Sequence, residues 1–118
     1  MTTTAQNAEP AVEPDCVFCR IVAEEIPADR VYEDESVIAF RDLHPQAPVH
    51  VLVVPRVHRR DVTALALHPD LLAHVVEVAG RVAEQEADGQ FRLVFNTGEA
   101  AGQTVFHVHA HVLAGSRQ

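Results

Sequence analysis

Three histidines stand at alternate positions near the end of the chain, His107, His109 and His111, in the run QTVFHVHAHV (103–112). Imidazole titrates near neutral pH, so it can act as acid, base, nucleophile or metal ligand. In a β-strand, side chains two apart leave from one face. A strand here sets the histidines beside Val105 and Leu113, with about 6.5–7 Å between neighbours. Phe106, Val108, Ala110 and Val112 then point the other way. Three readings compete: the solvated face of an edge strand, an H-x-H pair that holds zinc with ligands from elsewhere, and a catalytic array lining a cleft. The preceding loop, NTGEAAGQT, bears on the choice. Gly98 and Gly102 allow the positive-φ backbone that turns N–H groups into an anion nest, and Thr104 adds a hydroxyl. An anion held there would lie beside the histidines.

A second constellation is Cys16-Val-Phe-Cys19. It fits a redox C-x-x-C at a helix start, where thiolates are stabilised. It also fits two plain buried cysteines, or half a zinc site that needs two more ligands. A structural disulfide is disfavoured in the cytosol.

The elements that must position these residues are legible in outline. Residues 1–14, polar and proline-bearing, read as a disordered tail, and residues 15–118 as one domain. Asp15 can cap a short helix over 16–24, with Val17, Ile21 and Phe18 toward the core. VYEDESVIAFRDL reads as two strands around a turn at Glu33–Ser36. VHVLVVP (49–55) is apolar enough for a central strand. Pro69 opens a second helix whose Leu71, Leu72, Val75, Val76, Ala79 and Val82 follow helical spacing, and Asp88-Gly89 ends it. FRLVFNT (91–97) and TVFHVHAHVLA (104–114) are the last strands. The connections are hairpin-sized, so the fold class is α+β with a mostly antiparallel sheet and helices on one side.

The composition narrows the function. The chain has 118 residues, 47% of them hydrophobic, which is enough for one packed core. A net charge of −8 opposes general nucleic-acid binding. All nine basic residues are arginine, so no lysine can form a Schiff base. The N-terminus lacks the charged start and apolar run of a secretory signal. No stretch approaches the roughly 18 apolar residues of a membrane span. These features lead to the expectation of a soluble, cytoplasmic protein with no membrane partner.

HVHAHV resembles the signature of the histidine triad (HIT) family, in which histidines alternate with apolar residues. RLVFNTGEAAGQTVFHVHAHVLAG and EEIPADRVYEDESVIAFRDLHPQAPVHVLVVPRVH are similar to the C- and N-terminal blocks of its Hint-like, nucleotide-binding branch. The resemblance runs from about Cys16 to Gly115. It implies a five-stranded antiparallel sheet with two helices, and a homodimer that joins two sheets into ten strands. It implies a purine nucleotide ligand such as AMP or GMP, and hydrolysis of nucleoside phosphoramidates and related adenylates. By motif position, His109 would be the nucleophile that forms a nucleotidyl-histidine intermediate. His111 would contact phosphate and help the leaving group, and His107 would orient His109. Asn96, Gly102 and Thr104 match phosphate-contacting positions, Asp42 the acceptor of the ribose hydroxyls, and Phe18, Ile21, Phe40 and Leu43 the base pocket. Members that carry a C-x-x-C hold structural zinc, and the resemblance carries that set to Cys16, Cys19, His50 and His107. His44, His58, His68 and His74 are expected at the surface without a role. The competing functions are a dinucleoside polyphosphate hydrolase and a nucleotide-sensing interaction module.

Overall fold

The computed structural model describes residues 9–115. Its elements, in chain order, are α1 (Val17–Val22), β1 (Arg30–Glu33), β2 (Val37–Arg41), β3 (Val49–Pro55), α2 (Val62–Leu65), α3 (Pro69–Glu86), β4 (Arg92–Val94) and β5 (Ala110–Ala114), with a 3-10 turn at Glu99–Ala101. The five strands form one sheet in the order β1-β2-β3-β5-β4. Every neighbouring pair is antiparallel. The architecture is the expected α+β.

Period-two alternation divides the core between the two faces of the sheet. Val37, Ala39, Val51, Val53, Ala110 and Val112 pack against Val75, Val78, Ala79, Val82 and Ala83 of α3. Those α3 positions recur every three to four residues and form one apolar stripe. Ile38, Phe40, Leu52 and Val54 face the other way and pack against Phe18 and Ile21 of α1. Helices therefore cover both faces, not one as the sequence predicts. The alternation carries the reason: β2 and β3 are apolar at odd and even positions alike, so both faces need a cover.

Three boundaries differ from expectation. The helix expected over 16–24 spans Val17–Val22, and Cys16 rather than Asp15 is its N-cap, its sulfur accepting from Cys19 N–H. The strand expected over 91–97 shortens to Arg92–Val94. The strand expected over 104–114 pairs only from Ala110, so His107 and His109 lie ahead of it. Helix α2 is an addition, capped by Asp61, whose Oδ1 accepts from Thr63 Oγ1 at 2.6 Å and Ala64 N–H at 3.0 Å. Of the expected tail, residues 1–8 lie outside the described residues.

Candidate active site and metal centre

On the α1 face of the sheet a cavity of about 710 Å³ opens between Phe18, Phe40, Asp42, Asn96, His109 and His111. That volume suits a small ligand of nucleotide size. The three histidines leave the chain on the side away from α3, but at different depths. His109 and His111 line the cavity, their ring centres 4.9 Å apart. His107 is fully buried behind them.

The hydrogen bonds fix the proton on each ring. His109 Nδ1 lies 2.8 Å from the His107 carbonyl oxygen. A carbonyl only accepts, so Nδ1 carries the proton and Nε2 keeps its lone pair. Gln46 N–H donates to His50 Nδ1 at 3.1 Å, so His50 is protonated on Nε2. His50 Nε2 faces His111 Nδ1 at 2.9 Å and Asp42 Oδ2 at 3.4 Å. His111 Nδ1 is thereby an acceptor, which puts its proton on Nε2; Asn96 Nδ2, 3.5 Å from that nitrogen, is itself a donor, so in this tautomer the Asn96 amide turns its oxygen to the ring. His109 thus presents a lone pair and His111 a proton. Burial, reinforced by His109 and His50, pushes His111 down to about 4. Burial also lowers His109, against its bond to the His107 carbonyl. Both rings are neutral at neutral pH.

The loop before β5 has the expected left-handed glycines, with φ of 89° at Gly98 and 98° at Gly102. Gly102 N–H is engaged inside the loop, on the Glu99 carbonyl at 3.0 Å. Gly102 and exposed Thr104 both line the cavity. Gln103, not singled out by sequence, ties the loop down. Its side chain is 2% exposed, accepts from Gly98 N–H at 2.9 Å, and donates to the carbonyls of Arg60 at 2.8 Å and Val105 at 3.0 Å.

Close to His111, Asp42 Oδ1 accepts from His44 N–H at 2.8 Å, which leaves Oδ2 toward His50 and the cavity. Phe18, Ile21 and Phe40 are buried and serve as both core and cavity wall. Leu43 is 87% exposed at the rim.

The cysteines meet two histidines elsewhere, and one is not the expected one. Cys16 Sγ is 3.4 Å and Cys19 Sγ 3.5 Å from His107 Nδ1, and Cys19 Sγ is 3.6 Å from His58 Nδ1. All four ligand atoms lie within 4.8 Å of one another. His58, expected at the surface, is buried in this cluster. His50 is not part of it, and the length of β3 gives the reason. His107 Nε2 donates to the Pro55 carbonyl at 2.8 Å, at the C-terminal end of β3. His50 sits at the N-terminal end, about 17 Å away at strand rise. No single ion reaches both. The residue that does reach is His58, three positions past the end of β3. The only sequence signal for it was its place just after that strand.

The donor set fits a tetrahedral dication. Zinc at its usual bond lengths to sulfur and nitrogen sets those atoms about 3.6 Å apart, which the separations above match. The His107–Pro55 bond keeps the His107 Nδ1 lone pair toward the thiols. Burial pushes the Cys19 thiol up to about 11, a position that a bound dication reverses.

Comparison with known proteins agrees with this geometry. The HIT domain family matches residues 23–118. The chain is 42% identical over 104 residues to the purine nucleoside phosphoramidase of Escherichia coli (strain K12), covering 86% of this chain and 87% of that one. It is 45% identical over 105 residues to a 14 kDa zinc-binding protein of Zea mays, covering 84% and 80%. A HIT family hydrolase from Clostridium thermocellum superposes with a TM-score of 0.84 at 44% identity, over 88% of this chain and 93% of the other. The chain belongs to the HIT family.

Proposed function

We propose that this protein hydrolyses the P–N bond of purine nucleoside phosphoramidates, and related adenylates, through a nucleotidyl intermediate on His109. The observation that carries the reading is the pair of fixed tautomers: a lone pair on His109 beside a proton on His111, both lining one nucleotide-sized cavity. His109 Nε2 attacks the α-phosphorus, a P–N bond to the ring forms, and the bond to the leaving amine breaks. A proton taken up from solvent passes through His111 Nε2 to that amine, which leaves the His111 ring neutral. Water then adds to phosphorus, releases the nucleotide and restores His109, and the proton it sheds returns to solvent through His111. Dividing the reaction into two displacements is the usual gain of covalent catalysis. Asp42 accepts the ribose hydroxyls, Asn96 and Thr104 contact the phosphate, and Phe18, Ile21 and Phe40 clasp the base. The phosphoramidase activity named for the Escherichia coli relative supports the substrate class. Replacing His109 by Ala tests the reading on adenosine phosphoramidate: turnover falls to background, and retained turnover refutes the covalent step. Unimpaired AMP binding by a wild type that turns over nothing across a panel of phosphoramidates and adenylates would point instead to a nucleotide-sensing module.

The cluster of Cys16, Cys19, His58 and His107 is proposed to hold structural zinc. Zinc there would cross-link α1 to the segments around β3 and β5 and fix His107, whose carbonyl orients His109. Four protein ligands leave no open position on the metal.

A further inference from the structure

Glu9, Ala11 and Glu13 precede α1 and lie outside the residues that the HIT family matches. Each nonetheless meets the cysteine–histidine cluster. The Ala11 carbonyl accepts from His58 N–H at 2.7 Å, and the Glu13 carbonyl from Cys16 N–H at 3.0 Å. Glu13 N–H donates to Cys19 Sγ at 3.4 Å. Glu9 Oε2 lies 3.6 Å from His58 Nε2, with both side chains largely covered.

We propose that residues 9–13 are a strap that closes over the metal cluster, with Glu9 as the carboxylate that positions His58, so that holding a zinc-like dication and seating the strap are coupled. The proposal rests on the metal reading given above. His58 turns Nδ1 to the thiols, so Nε2 carries the proton and needs an acceptor. A carboxylate behind a ligating histidine fixes its tautomer and ring orientation and raises its basicity. The Pro55 carbonyl serves His107 in this way, and Glu9 serves His58. The N–H of Glu13 adds a charge-assisted bond to a Cys19 thiolate, the form in which sulfur binds metal. Two thiolates and one dication sum to zero charge, so Glu9 faces an Nε2–H polarised by the metal and no net negative charge.

The test uses the full chain reconstituted with zinc. Zinc release to a chromophoric chelator is followed for wild type, Glu9→Gln, Glu9→Ala and Val12→Ala, with amide hydrogen exchange of residues 9–14 before and after chelation. Val12 is 66% exposed and serves as the control within the strap. The expected result is one bound equivalent, release about tenfold faster in both Glu9 variants, within the range for outer-shell partners of metal ligands, and wild-type release in Val12→Ala. Protection of residues 9–14 is lost with the metal. In cobalt-substituted protein, Glu9→Ala shifts the visible bands while the tetrahedral pattern persists. A wild type that binds no zinc overturns the metal reading and the strap together. One equivalent bound, released at the wild-type rate from both Glu9 variants, overturns the strap alone.

Discussion

What each histidine can do is decided by which of its nitrogens is already engaged. His109 is held through Nδ1 by the His107 carbonyl, His111 through Nδ1 by His50, and His107 through Nε2 by Pro55. Because burial holds His109 and His111 below the ordinary imidazole value, protonation does not disable them near neutrality. The pH profile of kcat/KM for a phosphoramidate, corrected for spontaneous hydrolysis, should show its acid-side fall displaced below the ordinary imidazole range. A fall centred near an unshifted histidine, about 6.5, would contradict the assignment. His50→Ala removes the donor that sets the His111 tautomer. Its kcat should drop about a hundredfold, the low end for loss of acid–base assistance, with metal content unchanged. Loss of metal in that variant would restore His50 to the cluster. The alternating triad and the C-x-x-C stand out in the sequence because residue type and short spacing define them. The choice between His50 and His58 depends on which end of β3 each one occupies, and residue type says nothing of that.

At the scale of elements, the strong patterns matched. β3 occupies the apolar run 49–55, and α3 starts at Pro69 with Val75, Ala79 and Val82 of the expected stripe buried, whereas Val76 faces solvent and Val78 and Ala83 take its place in the core. The histidine segment did not behave as one strand, although its alternation is regular. His107 is drawn aside by Pro55 and the thiols, and regular pairing begins only at Ala110. The alternation of faces survives the loss of pairing: Val108, Ala110 and Val112 pack on the α3 side, and His107 and His109 lie against Phe18 on the other. His74, expected without a role, ties α3 to the β1–β2 turn. Its Nε2 is 2.7 Å from Asp34 Oδ2, which also accepts from Tyr32 Oη at 2.7 Å. The bond to Asp34 raises His74 above its ordinary pKa. The Asp34 carboxyl is opposed by burial, but bonds from Tyr32, Ser36 and His74 outweigh it and hold the group well below the usual range. For a raised histidine, the stabilisation is complete below about pH 6.5 and fades as pH rises through the folded value. Denaturant unfolding of His74→Ala should show a loss of about 1 kcal/mol at pH 6, the upper range for a partly exposed ion pair, shrinking by pH 9. A loss that grows with pH would reverse the sign and contradict the pairing.

At the scale of the molecule, the α+β class and the antiparallel strands were legible because apolar runs and turn residues recur along the chain, and the family because HVHAHV and the blocks around it resemble its signature. The two-sided helix cover was implicit in β2 and β3, apolar on both faces, and the docking of α1 and α3 makes it explicit. Among the described residues, no helix is long and apolar enough to cross a membrane. The sheet leaves β1 and β4 as open edges, and the proposed ten-stranded dimer would join two copies along one of them. Light scattering should then give twice the chain mass, and a monomer at micromolar concentration would end that part of the reading. A bound metal would act at this scale too, because the candidate ligands come from the start of α1, the segment after β3 and the segment before β5. Zinc present at about a hundredfold above its Kd should raise Tm by about 10 °C over the chelated protein. An unchanged Tm would mean that the cluster holds no ion. The central claim is the covalent intermediate on His109, and the stereochemical course at an isotopically chiral α-phosphorus tests it most directly. Two successive displacements require overall retention of configuration, which is the expected result. Inversion would mean a single direct attack by water and would contradict the account.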